Sequence, residues 1–407
     1  MNAEQLILSL GAILLATRLF GWLFQRIGQP RVVGEMTAGI VLGPSLLGRF
    51  FPAAFANIFP SDSLPVLTAL SQIGLLLFMF AVGLEVDFKN IMKQRAVVVL
   101  TSNASILLPL LLGMGLAASL YPQFAGKNAT FPSFALFMGT AMSITAFPVL
   151  ARILKERNLL GTNLGAVAVA SAAIDDVTAW VLLAALTAMV HSAESWPRLA
   201  LTLLGLVVFV TVMLLPFRRA ASLLEGFARK KDATALFSIL ILIMLAASWT
   251  TERLGVHALF GAFVAGLAMP KNRLIAAAME RIESLALTLL LPLFFVLTGL
   301  RTRIDLIAGR QAWSYAAAVI AIAILGKLAG AALAARASGM DWKNSVALGV
   351  LMNTRGLVEL VVLNAGLELG VLSPALFTMM VVMALLTTFM TTPILAAMRL
   401  QPAPAKP

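Results

Sequence analysis

The chain has no cysteine, only two histidines and few charged residues, 12% of 407. The first absence excludes disulfides and thiolate sites and says little about compartment. No nucleophile–base constellation and no metal-ligand spacing appears, so neither an enzyme nor a cofactor is expected. The shortage of charge decides the class. With 60% hydrophobic residues and a mean hydropathy of +0.97, the chain lacks the polar surface that a soluble domain of this size needs. No cleavable signal peptide is visible, because the first apolar block carries Arg18 and lacks a small-residue cleavage site.

What is there is a series of apolar blocks near the length that crosses a bilayer, ~20 residues. Thirteen spans are predicted, at roughly 4–25, 32–48, 64–86, 96–120, 132–154, 162–190, 197–217, 233–250, 255–270, 279–300, 311–335, 343–366 and 373–398. The second and ninth are short and glycine-rich, so eleven or twelve are also compatible with the pattern. The expected fold is therefore all-α and polytopic. The net charge of +12 reflects basic loops facing anionic lipid, and no nucleic-acid partner is expected. With residues at the span ends counted in the adjoining loop, odd-numbered loops and the C-terminal tail hold 20 Lys/Arg against 7 in even-numbered loops. This places the N-terminus outside and the C-terminus in the cytoplasm of a multi-pass protein of the cell inner membrane. The loop "LRTRIDLIAGR" (Leu300–Arg310) dissents, with three arginines on the outer side.

Two halves, about 1–217 and 233–398, flank a basic linker at 217–232 within one transmembrane domain. They resemble each other weakly: "AGIVLGP" with "AGLAMP", "LLFMFAVGLEVDF" with "PLFFVLTGLRTRI", and "GTAMSITAF" with "GVLMNTRGL". Each pair lies seven spans apart, and an odd offset inverts the second copy. Inverted repeats with discontinuous helices at the midplane mark secondary transporters. Spans five and twelve are the candidate broken helices. Span five has Ser143 and Thr145 before Pro148, which lacks a backbone donor; span twelve has Asn353, Thr354, Arg355 and Gly356 together. Two ordinary kinked helices are the plainer alternative.

Charged residues inside spans are functional by default, since each costs from ~2.5 to more than 10 kcal/mol at the bilayer centre. Asp175 and Asp176 stand side by side in span six. Successive helical residues point about 100° apart. One carboxylate can therefore face a cavity while the other meets a neighbouring helix, where Lys327 of span eleven is the obvious partner. A purely structural ion cluster is the alternative, although buried ion pairs stabilise weakly. A carboxylate in a partly wet cavity titrates nearer neutrality than one in water, and can trade H+ for a small cation. Ser143, Thr145, Asn353 and backbone oxygens could supply further hard ligands for Na+ or K+. Arg355 and Glu359, spaced i, i+4, form either a neutral structural pair or a set of charges offsetting broken-helix ends. Glu35 reads as an interfacial carboxylate, and His191 and His257 read as structural.

Seven stretches carry a family resemblance: "GQPRVVGEMTAGIVLGPSLLG", "LLFMFAVGLEVD", "TAMSITAFPVLARIL", "AAIDDVTAW", "HALFGAFVAGLAMP", "FFVLTGLRTRID" and "MNTRGLVELVVLN". In this order the chain resembles the membrane domain of the second monovalent cation–proton antiporter family, with "DDVTAW" and "NTRGLVELVVLN" most like the branch near the plant exchangers. The resemblance implies thirteen helices in a mobile core domain and a dimerisation domain, a homodimer, and spans five and twelve crossing beside span six. It implies Asp176 as the metal (Na+ or K+) and proton site, with Asp175 paired to Lys327. Members with this Asp–Asp pair and lysine are typically electrogenic. The chain stops at "MRLQPAPAKP" without a nucleotide-binding domain, so regulation through one is not expected. Two other classes remain as alternatives. A sodium-coupled organic-anion symporter on the same fold would need a roomy polar cavity, and a gated cation channel would show flux without uphill H+ movement.

Overall fold

A computed structural model describes residues 3–400 apart from 61, 86–94, 160–161, 192–195, 222–232, 256, 271–274, 276–283 and 285. Asp87 and most of the basic linker lie outside the described residues. Within them the chain is helical. The elements are α1 (Ala3–Arg26), α2 (Arg31–Leu42), α3 (Leu47–Phe50), α4 (Pro52–Ile58), α5 (Leu64–Glu85), α6 (Arg95–Phe124), α7 (Phe131–Ser143), α8 (Phe147–Glu156) and α9 (Asn163–His191). They continue with α10 (Trp196–Val212), α11 (Arg218–Ala221), α12 (Ala233–Arg253), α13 (Ala258–Ala268), α14 (Leu291–Arg301), α15 (Gly309–Ala337), α16 (Trp342–Met352), α17 (Leu357–Glu368) and α18 (Pro374–Ala397). A π-helical turn at Met213–Phe217, containing Pro216, joins α10 to α11.

Every one of the thirteen apolar segments carries helix. Among the described residues, nine hold a helix long and apolar enough to cross a membrane. The other four are informative. The second and ninth segments form α2 and α13, of 12 and 11 residues. At 1.5 Å per residue these are well short of a hydrocarbon core of about 30 Å. The fifth and twelfth segments are each interrupted. Span five becomes α7 and α8 with Ile144–Ala146 extended between them, and span twelve becomes α16 and α17 with Asn353–Gly356 between them. The short helices α3 and α4, and a 3-10 turn at Ile304–Leu306, are elements the hydropathy pattern did not separate.

The surface agrees with a lipid solvent. Leu201, Leu204, Val207 and Val208 of α10 and Leu242 and Trp249 of α12 are exposed, which water would penalise and hydrocarbon would not. Arginines stack on tryptophans at helix ends, Arg26 over Trp22 at 4.1 Å and Arg336 over Trp342 at 5.5 Å. Such amphipathic pairs suit a membrane–water boundary.

The chain forms two compact units, each drawn from both halves of the sequence. One comprises Met1–Leu14, Phe59–Val86 and Thr187–Leu297. There α13 packs on α5 and α12, burying Met79, Phe80, Phe260 and Phe263. His257 caps α13, its Nδ1 accepting from the Leu259 N–H at 3.4 Å, which is a structural role.

The other comprises Leu15–Ile58, Asp87–Leu186 and Thr298–Pro407. Here α15 packs against α6, α16 and α18, and α6 packs against α7. Small residues permit the approach of α15 to α6: a Cβ at Gly330 would lie 2.5 Å from the Ala104 carbonyl oxygen. Lys327, three residues before Gly330, is thereby brought into the same interior as the polar residues of α6. Backbone bonds from Gly126 N–H to Val371 C=O (2.9 Å) and from Asn128 N–H to Gly370 C=O (3.0 Å) tie the segment before α7 to the end of α17. In the loop that dissents from the charge pattern, Arg301 pairs with Glu368 at 2.8 Å and Arg303 with Asp305 at 2.6 Å.

Candidate functional site

The two interruptions are bonded to each other. The Ala146 N–H donates to the Thr354 carbonyl at 2.8 Å, and Thr145 Oγ1 donates to the Met352 carbonyl at 2.9 Å. Ends of half-helices leave backbone groups without intrahelical partners, and here each break supplies partners for the other. Helix α9 places Asp175 and Asp176 beside them, both buried.

The two carboxylates are treated very differently. Asp175 accepts from four side chains. Ser102 Oγ lies 2.8 Å from Oδ1. Lys327 Nζ at 2.7 Å, Thr145 Oγ1 at 2.8 Å and Ser105 Oγ at 3.0 Å all address Oδ2. Asp176, the next residue, has no hydrogen-bond donor on either oxygen among the described residues. The Phe147 N–H, at the start of α8, lies near it and makes no hydrogen bond to it. The positive end of the α8 dipole therefore faces Asp176. Helix periodicity alone separates the two side chains; the packing of α6, α15 and the α7–α8 break decides which one is satisfied.

Two more acceptors sit in the second break. Asn353 Oδ1 and Thr354 Oγ1 are buried with no donor or acceptor partner among the described residues. Together with Asp176 they are hard oxygens of the kind that bind small cations. Ser143 is placed otherwise. Its hydroxyl donates to the Thr140 carbonyl at 2.8 Å, one turn back in α7, and makes no bond to either aspartate.

Arg355 and Glu359 are both fully buried and meet at 3.2 Å. The guanidinium does more than pair with Glu359: Nη1 donates to the Ala141 carbonyl at 2.8 Å and Nη2 to the Met142 carbonyl at 2.6 Å. These are among the last carbonyls of α7, where the helix dipole is negative. The fork geometry of arginine suits two adjacent acceptors.

Sequence reasoning passed over three residues here. Ser102 and Ser105 stand i, i+3 in the apolar fourth span, a spacing that puts two hydroxyls on one helix face. Thr388 of α18 accepts from the Arg355 N–H at 2.9 Å and donates to its carbonyl at 2.6 Å, pinning the second break. The threonine-rich "TTFMTT" (Thr387–Thr392) in an apolar helix was its only signal.

An all-helical membrane fold with two interrupted helices bonded at their breaks, around buried carboxylates, defines the class of secondary transporters. A sodium/hydrogen exchanger transmembrane family model matches residues 13–398. The chain is 41% identical to the Na+/H+ antiporter NhaS4 of Synechocystis over 100% of both chains. It is 30% identical to the Na+/H+-K+ antiporter GerN of Bacillus cereus, over 94% of this chain and 93% of that one. It is also 43% identical to cation/H+ antiporter 17 of Arabidopsis thaliana, over 96% of this chain but 48% of the plant protein, of which it spans about half. The sodium–proton antiporter MjNhaP1 of Methanocaldococcus jannaschii shares the fold, with TM-score 0.68 at 17% identity over 98% and 97% of the two chains. The chain belongs to the sodium/hydrogen exchanger family. It is a multi-pass membrane transporter and not an enzyme, and the organic-anion symport alternative finds no support among these relatives.

Proposed function

We propose that this protein is a secondary antiporter exchanging Na+ or K+ for H+ by alternating access, with Asp176 as the group that takes either ligand. The observation that carries this reading is the contrast between neighbouring carboxylates. Asp175 is saturated by four donors, while Asp176 is buried with neither oxygen engaged. A single anionic group that binds a cation or a proton, but not both, is the minimal device for exchange. Asn353 and Thr354 supply further oxygens to the cation. Arg355 and Glu359 balance the charge of the half-helix ends. Thr145 bridges the two breaks, and Ser143 bonds back to the Thr140 carbonyl at the end of α7.

Asp175 and Lys327 remain paired in one half of the cycle and separate or pass a proton in the other. Where Lys327 gives up its proton on leaving Asp175, that proton moves in addition to the one at Asp176, more than one proton answers each cation, and the exchange is electrogenic. Relatives are named for Na+ alone and for both Na+ and K+, which supports keeping both cations. We further propose a homodimer in the cell inner membrane. The N-terminus lies outside and the C-terminus in the cytoplasm. All thirteen segments cross, and the halves 1–217 and 233–398 form inverted repeats around the 217–232 linker in one exchanger domain.

Purified protein in liposomes with an internal pH dye, challenged in turn with Na+, Li+ and K+ under a clamped membrane potential, tests the reading. Cation gradients should drive H+ movement that responds to the potential, and Asp176→Asn should abolish it. Full cation-driven ΔpH in Asp176→Asn would overturn the assignment of the site.

A further inference from the structure

The donors around Asp175 are not equivalent, and their differences point to a role for α6. A hydroxyl carries one proton. Thr145 has two acceptors in reach, Asp175 Oδ2 at 2.8 Å and the Met352 carbonyl at 2.9 Å. Ser105 also has two, Asp175 Oδ2 at 3.0 Å and the Ser102 carbonyl at 3.0 Å. Each shares its proton between the carboxylate and a backbone oxygen. Ser102 has Asp175 Oδ1 as its one acceptor among the described hydrogen bonds, at 2.8 Å. Lys327 likewise has Asp175 Oδ2, at 2.7 Å.

Oxygen Oδ2 therefore faces one committed donor, the lysine, and two that have somewhere else to turn. A hydroxyl changes acceptor by rotating about one C–O bond, with no movement of heavy atoms. If Lys327 withdraws, the Ser105 and Thr145 protons can turn fully onto Oδ2, while Ser102 continues to hold Oδ1. All the participants are buried. Without such donors the withdrawal would leave a bare carboxylate in a medium that penalises it heavily.

Resting on the antiport reading above, we infer that Ser102 and Ser105 are positioning residues that keep Asp175 hydrogen-bonded when Lys327 leaves it. They lower the cost of opening the ion pair during the cycle. They bind neither cation nor proton in transit. They act through Asp175, and the step they serve is separation of the pair rather than capture of the cation.

Two measurements test this. In proteoliposomes, the Ser102→Ala/Ser105→Ala variant should lose about tenfold in maximal exchange rate, the equivalent of one weak charge-assisted hydrogen bond. The Na+ or K+ concentration at half-maximal rate should move by less than about threefold. In detergent, the drop in thermal midpoint caused by Lys327→Met should be larger in the double-serine variant than in the parent, because one of the two stand-in donors, Ser105, and the constant donor to Oδ1, Ser102, are gone and only Thr145 is left. A merely structural role predicts additive drops instead. Additive drops, or an unchanged maximal rate in the double-serine variant, would overturn the inference. If the double variant does not fold, Ser102→Ala and Ser105→Ala taken singly carry the same two readouts. Asp176→Asn separates the failures: loss of exchange there with additive serine effects rejects only the role of the serines, whereas retained exchange rejects the site.

Discussion

The two members of the buried ion pair should not be equally costly to remove. Lys327 Nζ has Asp175 as its single acceptor among the described bonds, so Asp175→Asn leaves a buried ammonium facing a neutral amide. Removing one partner of a buried pair costs about 3–5 kcal/mol. Lys327→Met, of similar length, leaves Asp175 with Ser102 on Oδ1 and with Thr145 and Ser105 free to turn onto Oδ2. A hydrogen bond to a charged group contributes about 1.5–3 kcal/mol, and each hydroxyl gives up a neutral bond of about 1 kcal/mol to a carbonyl. Two such exchanges recover about 1–4 kcal/mol, leaving a net cost of about 2 kcal/mol. The gap of about 2 kcal/mol corresponds to about 4–8 °C in thermal midpoint for a unit of 150–250 residues. Tryptophan-fluorescence melts of both variants in one detergent at neutral pH measure it. If Lys327→Met melts as low as Asp175→Asn or lower, the hydroxyls do not stand in for the lysine and the reasoning is wrong.

Four further outcomes are expected. Asp176→Asn should abolish exchange without lowering the thermal midpoint, since it removes a buried charge with no donor; a melt and a flux assay on one preparation check both halves. Arg355→Lys should cost about 2–4 kcal/mol despite keeping the charge, because a lysine cannot address the Ala141 and Met142 carbonyls together; a parental midpoint would count against the capping role. Thr388→Val removes both bonds to the Arg355 backbone and should slow exchange while Thr388→Ser restores it, read as initial rates. Asp341 caps α16 by accepting from the Asn344 N–H at 3.1 Å, and this holds its carboxyl below the usual value of 3.8. Its contribution is therefore present above pH 3.8 and lost as the pH falls through the lower folded value. Asp341→Asn, an equally good cap, should leave the midpoint at neutral pH unchanged and flatten its decline in acid.

Much of this was legible before any fold was drawn. Apolar blocks and scarce charge determined a polytopic helical protein, because no other arrangement buries 60% hydrophobic residues over such runs. Most of the described helices begin and end within a few residues of the blocks, while α2 stops at Leu42, six residues before its block does. Proline, serine and glycine marked the two helices that break. The cost of charge in hydrocarbon singled out Asp175, Asp176, Lys327, Arg355 and Glu359. All these signals are local or compositional, and a single chain carries them in order.

What tertiary structure alone decided is how those residues are satisfied. The 100° between Asp175 and Asp176 follows from any helix. That α6 offers Ser102 and Ser105 to the first and nothing to the second depends on how α6 lies beside α9, and that Lys327 joins them depends on Gly330 letting α15 close on α6. Arg355 reaches carbonyls more than 200 residues earlier in the chain. Ser143, named from its position before the break, turns its hydroxyl back into its own helix. Hydrogen bonds are short and directional, so a shift of one turn reassigns a donor, while hydropathy is insensitive to such a shift. The sequence alone therefore determines where charge enters the membrane, and packing determines which charge is held and which is left without a donor.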